Sequence, residues 1–331
     1  MHRFLLLALT FAALVSAQTP EDRTLRIQNA PTPADFTELS LSVLSVSGTQ
    51  AVSSDAEARQ FTIRGTDAQL QAAQWVLTEL DRPASAAPPV TKRLTLNGKD
   101  EANTVSVFYL SPAISAQSFN ELQTAIRTMT DIRYVGPAVQ RRALALRGTA
   151  EQVEFATWLL AQPSAQPASY VFPQRPDAKE QALMERGLFD NQVRVFRYAN
   201  APSVQVFNEF QTLLRTISDI RRVYPYVEQR TIFLRATPDQ VPLALWLTAQ
   251  LDKKLPTESK VVSEAYSTAD GDLVRIFHFA GATAQDAFRE RATALRTATG
   301  IRRFYPFESA RTIAARGTPA QIAQLEALFQ Q

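Results

Sequence analysis

The chain has 331 residues, with 35 Lys and Arg against 32 Asp and Glu, a formal net charge of +3 and no cysteine. So small a basic excess does not by itself indicate nucleic-acid binding. The missing cysteines exclude disulfides, thiolate nucleophiles and cysteine-ligated zinc. Any folded domain must therefore be held together by packing alone.

The first 17 residues have the pattern of a secretory signal peptide. His2 and Arg3 give a basic start, residues 4–15 form an apolar run, and a small-residue cleavage motif follows. The run is too short to span a bilayer. We expect a mature chain that begins near Gln18, is exported to the periplasm and is not an integral membrane protein.

One pattern of six residues then occurs four times, with 28 residues from its Phe to its Arg in every copy. The four sets are Ala30, Phe36, Glu38, Arg64, Thr66, Gln69; Ala113, Phe119, Glu121, Arg147, Thr149, Gln152; Ala201, Phe207, Glu209, Arg235, Thr237, Gln240; and Ala282, Phe288, Glu290, Arg316, Thr318, Gln321. Fixed spacing within a copy and variable spacing between copies are typical of a repeated module. We predict modules at 23–82, 103–162, 191–252 and 272–331, with linkers at 83–102, 163–190 and 253–271.

Each copy has the pattern of an α+β module in the order strand, helix, strand, strand, helix. The first helix has one apolar stripe, which in copy 3 is Phe207, Phe210, Leu214 and Ile217. Arg291 interrupts this stripe in copy 4. We predict a three-stranded mixed sheet with the third strand in the middle and both helices on one face.

Two boundaries within the module follow from short motifs. Asp131–Tyr134 and its equivalents in copies 3 and 4 predict the second strand, with turns at Pro137, Pro225 and Pro306. Thr and Gln three residues apart predict a capping box at the start of the last helix in every copy.

The last helix has a second apolar face. Trp75, Trp158 and Trp246 share one repeat position, opposite the core stripe, with Phe155 and Leu243 beside the latter two. A helix that is apolar all round is normally buried all round. This face either docks on the next module or another chain, or is covered by the linkers.

Basic and aromatic residues alternate where the second and third strands should form a hairpin. They are Arg133, Tyr134, Arg221, Arg222, Tyr224, Arg302, Arg303 and Tyr305. Such residues protect an exposed strand edge, contact a protein or an anionic polymer, or bind single-stranded nucleic acid. The signal peptide argues against nucleic acid.

Catalytic and cofactor motifs are missing from the sequence. The mature chain has one histidine, His278, and no Gly-rich phosphate loop. The repeated Glu of the first helix lies off the apolar stripe, and we interpret it as part of a solvated face. We predict no enzyme activity, no cofactor and no metal site.

The pattern resembles the periplasmic N-domains of bacterial secretins, the ring-building modules of type II and III secretion and type IV pilus channels. The resemblance lies in Tyr198-Ala199-Asn200-Ala201 after the first strand, the helix with Phe207 and Leu214, and the strand Thr231–Leu234 followed by Arg235-Ala236-Thr237. It implies a KH-like fold, a periplasmic location and packing between modules or subunits. The Gly-x-x-Gly loop of RNA-binding KH domains is not found.

Secretins also have a C-terminal channel domain of amphipathic strands, whereas this chain ends at Gln331 after the fourth copy. We therefore do not expect it to form a pore alone. We expect an exported, non-enzymatic assembly protein, accessory to a secretion or type IV pilus apparatus, with protein partners or self-association. The alternative is a basic binder of anionic polymer or single-stranded nucleic acid through the Arg/Tyr hairpins.

Overall fold

The computed structural model describes residues 19–29, 32–82, 89–93, 102–162, 167–198, 203–253, 259–280 and 283–331. The predicted signal peptide and the repeated Ala30, Ala201 and Ala282 lie outside these ranges. The helices are α1 (Pro33–Ser47), α2 (Asp67–Leu80), α3 (Ala116–Thr130), α4 (Ala150–Leu160), α5 (Ala178–Glu185), α6 (Val204–Ser218), α7 (Gln240–Leu251), α8 (Gln285–Thr299) and α9 (Pro319–Gln330). The strands are β1 (Glu21–Arg26), β2 (Ala51–Asp55), β3 (Gln60–Gly65), β4 (Val90–Arg93), β5 (Thr104–Tyr109), β6 (Tyr134–Ala138), β7 (Ala143–Gly148), β8 (Ala168–Val171), β9 (Gln192–Arg197), β10 (Arg222–Tyr226), β11 (Thr231–Ala236), β12 (Val261–Val262), β13 (Tyr266–Ser267), β14 (Leu273–His278), β15 (Arg303–Phe307) and β16 (Thr312–Gly317).

The predicted α+β architecture and the element order within each copy are confirmed. The third strand of each module (β3, β7, β11 or β16) lies between the first and the second. Every strand pairing is antiparallel, so the sheets are antiparallel and not mixed. The first and second strands do run in the same direction, but the third strand separates them.

The linkers extend the sheets of the later modules. β4 pairs with β5, β8 with β9, and both β12 and β13 with β14. Modules 2 and 3 therefore have four-stranded sheets and module 4 a five-stranded sheet, where the sequence predicted three strands. The added strand occupies backbone donors and acceptors that the first strand would otherwise leave open at the edge.

The second strand begins later than predicted and includes the prolines. Asp131 ends α3 in the left-handed region, with φ of 62°, and β6 starts only at Tyr134. Pro137, Pro225 and Pro306 pair with residues of the third strand, and the turns follow them. Proline is tolerated there because these strands lie at a sheet edge.

Capping boxes begin α2, α4 and α9 as predicted, at Thr66, Thr149 and Thr318. Copy 3 differs, because α7 begins at Gln240 and no side chain caps it. Only half of the box remains, the N–H of Thr237 donating to Gln240 Oε1 at 3.1 Å. Pro242 has no N–H to donate to the carbonyl of Pro238, which interrupts the helical hydrogen bonds directly after the one from Val241 to Thr237.

Each later sheet has two apolar faces. In module 2, Leu144 and Leu146 face that module's own helices, whereas Val105 and Val107 join the core of module 1. The outer faces of the sheets of modules 3 and 4 likewise join the cores of modules 2 and 3. Consecutive modules therefore share continuous cores and stack as alternating helix and sheet layers.

Candidate functional site: the module junctions

The same contact joins each module to the next. The first helix of one module packs against the second strand of its successor, α1 on β6, α3 on β10 and α6 on β15. The approach is closest at the first junction, where Ser42 Oγ donates to the Pro137 carbonyl at 2.7 Å. A Cβ on Gly136 would lie 2.7 Å from the Cα of Ser42, so only glycine fits there.

The repeated glutamate of the first helix accepts hydrogen bonds across each junction. Its carboxylate binds a backbone N–H in the hairpin turn of the next module and so satisfies one donor of that turn. The pairs are Glu38 with Gln140 N–H (3.0 Å), Glu121 with Val227 N–H (3.0 Å) and Glu209 with Ser309 N–H (3.0 Å). The interpretation of this residue as part of a solvated face was wrong for these three copies, because the helix periodicity gave no sign of the neighbouring module. It holds in copy 4, where Glu290 is exposed.

The repeated arginine of the third strand is buried at the second junction. Arg235 is 2% exposed, and its guanidinium donates to Met129 O at 2.7 Å and to Asp131 Oδ2 at 2.8 Å. Arg222 binds the same carboxylate oxygen at 2.9 Å. Burial lowers the pKa of Arg235, which the nearby Asp190 and Asp131 oppose.

The third junction has the same network of one aspartate and two arginines, whereas the first junction has an arginine–tyrosine contact instead. Asp219 ends α6 and pairs with Arg303 at 2.8 Å and Arg316 at 3.5 Å. At the first junction Gly48 ends α1, and the guanidinium of Arg147 lies 3.7 Å from the centre of the Tyr134 ring. An aspartate at the end of the first helix thus occurs together with an arginine at the start of the next module's second strand, and the two form an ion pair. This co-occurrence is visible in the sequence and could have predicted the contact.

The structure divides the predicted Arg/Tyr hairpin residues into two groups. Tyr134, Arg222, Tyr224, Arg303 and Tyr305 lie at the junctions, and burial raises the pKa of Tyr224 and of Tyr305. Arg133, Arg221 and Arg302 remain exposed, one in each of modules 2 to 4. The junctions therefore use five of the eight predicted hairpin residues, and each later module keeps one exposed arginine.

The second apolar face of the last helix packs on the linker strand. The Trp158 ring lies 4.9 Å from Tyr170 and 6.1 Å from Phe155, and Phe155 also stacks on Tyr170 at 4.9 Å. Trp246 lies 5.4 Å from Tyr266 in the same way. These tyrosines lie on linker strands that belong to the sheet of the following module. Docking on the next module and cover by the linker, the two alternatives for this face, are therefore the same contact.

Leu243 lies in the core that modules 3 and 4 share, and Trp75 packs on the core of modules 1 and 2. All five residues of the predicted face thus meet partners within this chain. Contact of these residues with another chain stays a prediction.

The two ends of the stack are polar. On the outer sheet face of module 1, Thr24, Arg26, Thr62 and Arg64 are exposed. At the other end, Glu290 and Arg296 are exposed on α8, and the small Ala294 stands where the equivalent Leu213 of α6 is fully buried. A polar surface on the terminal repeats is typical of a capped array.

The described residues contain no group of three or more His, Asp or Glu placed to hold a metal ion. Burial lowers the pKa of His278 to about 4, and its Nδ1 lies 2.8 Å from Thr312 Oγ1. No helix in the described ranges is both long and apolar enough to cross a bilayer.

Neither the protein-family models nor the curated proteins include a match to this chain. Among solved structures, Aeromonas hydrophila ExeD is similar with 14% identity over 78% of this chain and 44% of that chain, at a TM-score of 0.17. The chain thus spans less than half the length of that protein, and a TM-score this low decides neither fold nor function.

Proposed function

We propose that this chain is an exported, non-enzymatic assembly protein that acts in the periplasm beside a secretion or type IV pilus apparatus. The repeated junction carries the proposal. Three consecutive junctions use the same helix-on-strand contact and the same glutamate bond to a backbone N–H. Buried apolar surface and paired charges join the modules, as expected of a rigid scaffold.

The sequence resemblance to secretin N-domains gives the proposal its location and its class of partner. In this proposal the modules present side surfaces to envelope proteins, while the polar ends keep the stack from growing. The basic-binder alternative has less support, because Arg222 and Arg303 already pair with Asp131 and Asp219.

Export is tested by the fate of residues 1–17 in a bacterium that makes the protein. The wild-type chain should lose these residues and appear in the periplasmic fraction. A charge in the apolar run, Leu6→Arg, should leave a full-length protein in the cytoplasm. A wild-type chain that stays full-length in the cytoplasm would contradict the proposal.

The assembly role is tested by photo-crosslinking in intact cells. A crosslinkable residue at Arg221 or Arg302, both exposed, should yield covalent adducts with envelope proteins of the secretion or pilus apparatus. The same residue at Leu144, which is fully buried, is the matched control and should give none. Adducts with nucleic acid alone would overturn the proposal in favour of the basic binder.

A further inference from the structure

The first strand of every later module is covered on its outer edge. In modules 2, 3 and 4 a linker strand lies antiparallel on it. The registers are Lys92 opposite Val105 and Val90 opposite Val107, Tyr170 opposite Val193, and Tyr266 opposite Val274. This edge of the module is therefore built to accept an antiparallel strand.

In module 1 the same edge has no partner among the described residues, since the sheet order is β1-β3-β2. Ile27 N–H donates to the Arg59 carbonyl at 3.1 Å, on the side of β3. Backbone groups alternate along a strand, so those of Asp22, Thr24 and Arg26 point to the open edge. Their side chains are exposed on the outer sheet face.

The open edge also borders a groove of about 530 Å³, which Leu25, Gln74, Leu77 and Thr78 help to line. Asp81 also lines it, and its carboxylate accepts the N–H groups of Gln28 and Asn29 at 2.7 and 2.9 Å, just after β1 ends. These two N–H groups are therefore already bonded, and the open edge for a docked strand is β1 itself.

The charges on this edge select among the strands that could dock. An antiparallel partner strand needs a basic residue opposite Asp22 and an acidic residue opposite Arg26. In the partner these two residues must be four positions apart, with the residue midway between them opposite Thr24. β1 meets this requirement itself. Centred on Thr24, two copies place Asp22 opposite Arg26 twice and Thr24 opposite Thr24, the kind of pairs that stabilise antiparallel sheets.

We propose that a second copy of this chain docks on β1, so that two molecules join edge to edge about a two-fold axis through Thr24. The sheet of module 1 then continues across the axis, and the two stacks extend away from it. The surface is isologous, as a two-fold contact requires. This inference deepens the proposed assembly role by naming one partner, and a monomeric chain would leave the export and crosslinking tests unaffected.

The test is sedimentation of the mature chain between about 1 and 500 µM at low salt, with charge variants of β1. The wild type should dimerise. Asp22→Arg and Arg26→Asp should each weaken the dimer at least about tenfold, because each places like charges opposite one another twice. The double variant Asp22→Arg/Arg26→Asp should restore the affinity to within about threefold, since it exchanges the two charges. Ser54→Arg, exposed on the other edge strand of the same sheet, is the matched control and should change nothing.

Amide hydrogen exchange locates the contact. In the dimer the amides of Asp22, Thr24 and Arg26 should exchange at least about tenfold more slowly than in dilute monomer. Thr24→Pro should abolish both the dimer and the protection, because proline is tolerated at an edge but cannot donate. A wild type that stays monomeric at every concentration, a double variant that fails to recover, or a dimer that leaves these amides unprotected would each overturn the proposal.

Discussion

The repeated glutamate of the first helix has a different role in the last copy from that in the other copies. Glu209 binds the N–H and hydroxyl of Ser309 at 3.0 and 2.8 Å, in the module that follows. Glu290 stands at the same repeat position on α8, and the described part of the chain has no further module beyond it. The contribution of one residue type at one repeat position thus depends on the neighbouring module.

This contrast predicts the effect of removing each carboxylate. Glu209→Ala should lower the free energy of unfolding by about 1 kcal/mol, the usual contribution of such a hydrogen bond. Glu290→Ala, with the same change in helix propensity, should change it by less than about 0.5 kcal/mol. Urea unfolding measures both, and equal losses would mean that the junction bond contributes nothing.

The repeated arginine allows a second matched comparison. Arg235 is 2% exposed between Met129 O and Asp131, whereas Arg64 lies on the open face of module 1. Arg235→Ala should cost about 2 kcal/mol, because a buried network is broken. Arg64→Ala should cost less than about 0.5 kcal/mol, as expected of an exposed site. Thermal unfolding of the two variants decides whether burial at the junction makes the difference.

His278 predicts a pH dependence. Burial lowers the pKa of His278 to about 4 from an ordinary value of 6.5. Between these values the unfolded chain binds the proton and the folded chain does not, so stability falls as pH falls from about 7 to about 4. The loss due to this residue should approach about 3 kcal/mol. Unfolding of the wild type and of His278→Gln across this range measures it, and parallel pH curves would refute it.

At the scale of elements, the last helix and the next linker strand form one unit. Trp158 lies against Tyr170 on β8, and Phe155 stacks between Tyr170 and Phe172. The second and third linkers are therefore structural parts of the stack, because their tyrosines cover the second apolar face of α4 and of α7.

Removing these tryptophans should have unequal effects. Trp158→Ala should lower the free energy of unfolding by about 3 kcal/mol, because it removes a large aromatic ring from a packed cluster. Trp75→Ala should lower it by less than about 2 kcal/mol, since no described aromatic ring stacks on Trp75. Denaturant unfolding of both variants tests this ranking, and equal small losses would show that the face is not a significant contact.

At the scale of the whole molecule, shared cores couple the modules. Val105 and Val107 of module 2 belong to the core of module 1, and Val274 and Ile276 of module 4 to that of module 3. One module cannot unfold without exposing apolar surface of its neighbour. In a stacked array this coupling makes unfolding cooperative.

The three tryptophans report on this coupling, one each in modules 1, 2 and 3. Variants that keep a single tryptophan, with phenylalanine at the other two positions, should show coincident fluorescence transitions in urea. Coincidence is expected because the interfaces are continuous with the cores. Transitions separated along the denaturant axis would mean that the modules unfold independently.

The sequence by itself determined the module. The apolar stripe through Phe207, Phe210 and Leu214 placed the first helix, and the Thr–Gln spacing placed three of the four predicted caps. Both signals are local, because a helix face and a cap are set by residues a few positions apart. The apolar second face around Trp158 also showed that something must cover the last helix.

Only the tertiary structure decided what covers each face. In the sequence, Glu121 and Arg235 have the pattern of ordinary surface residues. Their partners, the N–H of Val227 and the carbonyl of Met129, lie about 100 residues away in the chain and come close only in the folded structure. The sequence did not predict the linker strands for the same reason. The segment β8 is a strand because it pairs with the edge of β9, which lies about 20 residues further along the chain. Pairing between distant segments depends on which surfaces meet in space, and local periodicity has no information on that.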